Sequence, residues 1–145
     1  MGGRGGGRRG RPGGRSVATP AEPRPVARPA LLRGHGPGAA GVRRAVTDGL
    51  ALVSAITAFE LRQGARTPSD QQAVDGFCHG RTLPLTLGAA LRAGEVGAAL
   101  RTAGTPIGPA DTLIAGLCLH HGHALMTNNI SQFQRVPALR LNPLT

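Results

Sequence analysis

The chain has 145 residues, a length that suits one domain. Its apolar content is Ala, Leu, Val and Ile with three Phe and no Trp or Tyr. All 17 basic residues are Arg, and ten precede residue 48 against Glu22 alone, so the net charge of +10 belongs to the front of the chain. Residues 48–145 carry seven Arg and six acids, which excludes reading the whole protein as a basic nucleic-acid binder.

No run is long enough for a membrane span. No apolar stretch follows the Arg-rich start as it would in a secretory signal, so a cytoplasmic protein is expected. Cys78 and Cys118 lack CxxC spacing and read as small buried hydrophobes.

In chain order, residues 1–15 contain only Met, Gly, Arg and Pro and cannot be buried. Residues 16–30 add four prolines, which oppose both helix interiors and central strands. A disordered tail over 1–29 is therefore expected, with the domain proper over 30–145. "LLRGHGPGAAG" reads as a short apolar turn and a Gly/Pro break, with a globular pattern from about Val42.

"GLALVSAI" (49–56) predicts a buried strand, running into a helix over 57–65. "PSDQQAVDGFCHG" (68–80) predicts a helix capped by Ser69. "TLPLT" (82–86) is strand-like. Residues 87–104 predict an amphipathic helix weakened by Gly88, Gly94 and Gly97. A loop at 105–108 precedes a helix from Pro109. "HALMT" (123–127) is a strand, 129–136 a helical turn and "ALRLN" (138–142) a last strand. Strands alternating with helices predict an α/β fold with a parallel sheet.

In such sheets ligands bind beyond the carboxyl ends of the strands. Glu60, Asp111 and Asn129 all stand just after strands or at helix starts. Two acids and an amide suit a hard cation such as Mg²⁺. Each also has a plainer reading. Asp111, behind Pro109, suits a first helical turn, where a carboxylate gains from the helix dipole. Glu60 could be a solvated helix residue, and Asn129 a helix N-cap. His120, His121 and His123 tempt a zinc reading, but adjacent histidines on a helix end point apart.

"SAITAFELRQGA" (54–65), "GTPIGPADTLIAG" (104–116) and "ALMTNNISQFQRVPALRLNPL" (124–144) resemble, in order and spacing, the toxin branch of the PIN-domain ribonucleases, the VapC family. The resemblance covers roughly residues 30–145. It implies a three-layer α/β/α sandwich with a mostly parallel sheet. It further implies a Mg²⁺- or Mn²⁺-dependent endoribonuclease toxin that cuts RNA, pairs with an antitoxin protein and forms a homodimer. Glu60 matches the acid of "EL..GA" and Asp111 the acid of "P.D.LIA"; these two are the implied metal ligands. Thr127 and Asn129 match the Thr and following position of the closing "TNN" motif and complete the implied catalytic set. Arg62 is a candidate to steer phosphates.

One departure stands out. The family opens with an apolar strand ending in "DTN", whose Asp is its leading metal ligand, followed by a helix such as "..ALLRG". "ALLRG" is present at 30–34, but "PRPVARP" (23–29) stands where strand and Asp belong. The first strand is therefore expected to be missing or degraded. The Gly/Arg/Pro/Ala composition of 1–29 is what GC-rich codons encode out of frame, so a frameshift or misassigned start is expected there. The alternative to an active toxin is a catalytically impaired PIN-like protein that only binds an antitoxin or RNA. A third reading gives RNA binding to the Gly/Arg tail, which lacks aromatics to stack on bases.

Overall fold

A computed structural model describes residues 23–28, Leu32 and 37–142. Their elements run β1 (Val26–Ala27), α1 (Pro37–Thr47), β2 (Leu52–Ser54), α2 (Ala55–Gly64), α3 (Pro68–Cys78), β3 (Thr82–Leu83), α4 (Leu87–Thr102), α5 (Pro109–His121), β4 (Leu125–Met126), α6 (Ile130–Phe133) and β5 (Leu141–Asn142). The five strands form one parallel sheet in the order β3-β2-β1-β4-β5.

The expectation of a missing first strand is corrected by this sheet. β1 is only two residues long, yet it lies at the centre, between β2 and β4. Its backbone bonds to both neighbours: Val26 N–H donates to Ala124 O at 2.9 Å and Arg28 N–H to Met126 O at 3.1 Å. The Pro25 carbonyl accepts from Leu52 N–H at 2.8 Å. Proline is tolerated here because it enters the strand from outside and gives the ladder the acceptor it has, not the donor it lacks. Placing residues 23–28 in a disordered tail is corrected with it. Residues 1–22 and Pro29 lie outside the described residues.

The inner strands β1 and β2 are buried on both faces, as the middle of a parallel sheet must be. Successive residues point to opposite faces. Val26, Leu52 and Leu125 are in register and join one core with Ile56, Ala89, Ile114, Leu117, Phe133 and Val136. Ala27, Val53 and Met126 are in register and face the other way, toward Leu32, Val42 and Val46. The result is three layers, with α1 on one side and α4, α5 and α6 on the other. α1 runs through what the sequence suggested was a Gly/Pro break: Pro37 opens it, where its missing N–H costs nothing.

Three local expectations shift. The helix after β2 begins at Ala55, two residues early, because Ser54 caps it: Thr57 N–H donates to Ser54 Oγ at 3.0 Å, and Ser54 Oγ–H to Thr57 Oγ1 at 3.0 Å. Both side chains are fully buried. The cap of α3 is Thr67, whose Oγ1 accepts from Asp70 N–H, and Ser69 is already inside the helix. The glycines of α4 do more than weaken it. α4 crosses α5 closely, with a Cβ at Gly97 falling 3.2 Å from Thr112 Cγ2 and one at Gly88 falling 2.3 Å from His120 Cε1.

The cysteines differ. Cys118 is fully buried in the core, and burial pushes its thiol up to about 12. Cys78 is half-buried at the end of α3, with its thiol raised first by partial burial. At pH 8 a thiol reagent should therefore modify one equivalent, Cys78, in the native protein and the second only in denaturant. Modification of both under native conditions would contradict the packing of α5. No helix among the described residues is long and apolar enough to cross a membrane.

Candidate active site

The strands being parallel, their carboxyl ends share one edge. On it lie Arg28 after β1, Ser54 ending β2, and Thr127 after β4. The start of α5 reaches the same edge. Its N-cap is Gly108, with no side chain to satisfy the first N–H groups; Pro109 removes one of them, and Asp111 adds a carboxylate to the first turn.

Asp111 does more than settle the helix dipole. Its Oδ1 accepts from Arg28 Nη2–H at 2.8 Å and from Arg28 Nε–H at 3.3 Å. The two side chains are only 19% and 15% exposed, so this is a shielded ion pair and not a solvated surface one. Phe133 completes the seat, with the guanidinium carbon 5.4 Å from its ring centroid. Arg28 is the site residue that reading for acids missed. The signal was in the chain: Arg28 lies within the segment 23–29 that stands where the resembled family's first strand and Asp belong.

The other expected residues have partners of their own. Glu60 is half-buried on the second turn of α2, the helix that leaves the carboxyl end of β2. Thr127 is buried, and its Oγ1 accepts from Asn129 N–H at 3.0 Å, closing the turn between β4 and α6. Asn129 stands at the N-cap of α6 without a capping side-chain bond; its Oδ1 accepts from Ser131 Oγ–H at 3.4 Å. Arg62 is engaged elsewhere, in an exposed pair with Asp75 at 3.2 Å.

A divalent cation does not fit this arrangement. One of the two carboxylate oxygens of Asp111 already carries two guanidinium hydrogen bonds, and the Arg28–Asp111 pair is neutral as a unit, which removes the charge that would attract a cation. Among the described residues no group of three His, Cys, Asp or Glu side chains converges on one position. The histidines do not either. His120 and His121 meet edge to face at 4.8 Å, and burial, followed by its two neighbours, lowers the His121 pKa. A hollow of about 690 Å³ lies at the opposite, amino edge of the sheet among Arg24, Pro25, Leu50 and Arg140. It is remote from every expected site residue.

An apolar surface adjoins the carboxyl edge. Ala55, Ile56 and Phe59 of α2, Leu85, and Ala110 and Leu113 of α5 line a hollow of about 400 Å³. Phe59 is 64% exposed, and Leu87 and Leu91 are exposed along α4 nearby in sequence.

Comparison with known proteins places these features. The PIN domain profile matches residues 30–139, beginning just after Arg28. The tRNA(fMet)-specific endonuclease VapC of Salmonella typhimurium is 37% identical over 94 residues, 61% of this chain and 71% of that protein. VapC of Shigella flexneri, of the same description, is 35% identical over 100 residues, 66% of this chain and 76% of that one. The DNA-bound VapBC structure from Salmonella typhimurium superposes with a TM-score of 0.67 at 25% identity, over 84% of this chain and 98% of its counterpart. VapBC-1 from nontypeable Haemophilus influenzae gives 0.67 at 23%, over 82% and 96%, a likeness of fold.

Proposed function

We infer the function from one premise: the chain belongs to the PIN-domain family, in the VapC branch of endonuclease toxins. PIN-domain nucleases are generally divalent-metal dependent, and the VapC relatives are endonucleases of toxin–antitoxin pairs. The reading for this chain is an endoribonuclease that acts on folded RNA of the tRNA class, as its relatives' names describe for them. The observation that carries it is the placing of Asp111 at the uncapped start of α5, on the sheet's carboxyl edge, beside the β4 turn fixed by Thr127. Glu60, one and a half turns beyond the buried Ser54–Thr57 cap, supplies the second acid of that edge. What the chain's own residues do is shape that edge: the Ser54–Thr57 cap and the Thr127–Asn129 turn fix its backbone, and Phe133 backs Arg28 where it meets Asp111.

The exposed apolar side chains Phe59, Leu85, Leu87 and Leu91 support protein partners, an antitoxin and a second copy of the chain. The test is cleavage. Incubated with a tRNA pool and Mn²⁺, the protein should release discrete fragments, and Glu60→Gln should slow their release at least tenfold. Equal rates for the two proteins would remove Glu60 from the site.

A further inference from the structure

We propose that Arg28 is a built-in competitor for the divalent cation at Asp111. Its guanidinium takes the seat that a metal ion would take, and the nuclease site of this chain rests in a closed, metal-free state. The inference rests on the nuclease reading only in treating Asp111 as a ligand.

Four observations converge. Arg28 is fixed in place, since its backbone N–H is part of the central ladder, bonded to Met126 O at 3.1 Å. Its side chain cannot be satisfied by water alone, being only 19% exposed; it needs an anion, and Asp111 is the anion it has. Both Nε and Nη2 converge on one oxygen, so the guanidinium lies over Oδ1 and blocks approach from its side. The ring of Phe133 backs the guanidinium and favours a cation in that position. Held there, Arg28 is a rival cation, which a divalent cation must expel before it can bind Asp111 Oδ1.

Mn²⁺ binding, followed by the loss of the free-ion electron spin resonance signal, tests this without reference to catalysis. Wild type should bind at least tenfold more weakly than Arg28→Ala. Arg28→Met, which keeps an unbranched apolar stem over Phe133, should behave like Arg28→Ala and guards against a folding defect, which circular dichroism would reveal. In the Arg28→Met background, adding Asp111→Asn should abolish the gain. Equal Mn²⁺ binding by wild type and both variants would overturn the proposal, and so would a gain that survives Asp111→Asn. RNA cleavage measured alongside separates the two readings. Mn²⁺ bound by Arg28→Met with no cleavage of any RNA sinks the nuclease reading and leaves the competitor intact. Cleavage by wild type that Arg28→Met does not accelerate sinks the competitor alone.

Discussion

Gly116→Ala should destabilise the protein by about 3 kcal/mol, read as a lower urea midpoint. Gly116 is buried in the middle of α5, where that helix crosses α4. A Cβ placed there would fall 2.3 Å from Ala93 Cα, 2.4 Å from Ala93 Cβ and 2.4 Å from Ala93 N. Those are backbone atoms and a methyl group, none of which can swing aside, so the helices must part. Parting them opens the core around Ala89, Ala93, Val96 and Ile114 and shifts the start of α5, which carries Asp111. Helix propensity pulls the other way by roughly 1 kcal/mol, since alanine is the better helix former. Gly94→Ala isolates that smaller effect. Nothing lies within 4 Å of a Cβ at Gly94, so this substitution should stabilise by about 0.5–1 kcal/mol. Equal midpoints for Gly116→Ala and wild type would mean that α4 and α5 do not cross as closely as described.

Much of this was legible in the chain because its signals are local. Alternating buried strands and helices, with Pro109 opening α5, follow from apolar runs and punctuation. The fold and the family both followed from three short motifs in order. What failed was everything set by neighbours distant in sequence. Val26 and Ala27 have too few apolar companions to announce a strand, and two flanking prolines speak against one. They are held because Leu52 N–H and the carbonyls of Ala124 and Met126 need partners in the middle of a sheet. Ser54 looked like strand interior because its capping bond reaches three residues onward. Gly88 and Gly97 looked like helix defects because the partner that requires them, α5, lies more than ten residues ahead.

The candidate site divides the same way. Asp111, Glu60, Thr127 and Asn129 could be named from position, but their partners could not. The two readings of Asp111, dipole partner and cation ligand, both describe its place, and neither contained Arg28, which is 83 residues away in sequence. Arg62, chosen by closeness in sequence to Glu60, is spent on Asp75, an exposed pair of a kind worth at most about 1 kcal/mol. The cation paired with Asp111 lies in a segment whose composition reads as a tail.

Phe133→Ala should be as disruptive as any core truncation here, costing about 3–5 kcal/mol. Phe133 is fully buried and is the one buried residue of α6, a helix of four residues that cannot hold itself together. Its ring ties α6 to Ile114, Leu117, Leu125 and Val136. It also forms the floor beneath Arg28. Phe133→Leu separates these two duties. Leucine keeps most of the apolar volume, so the loss of stability should fall to about 1 kcal/mol. It offers no π face, so the guanidinium loses roughly 0.5–1 kcal/mol of support and should yield more readily to a competing cation. Mn²⁺ binding by Phe133→Leu should therefore rise a few-fold over wild type, in the same direction as Arg28→Met though smaller, while the urea midpoint falls only slightly. Unchanged or weaker Mn²⁺ binding with the fold intact would mean that the ring only fills the core, and that Arg28 is held on Asp111 by the carboxylate alone.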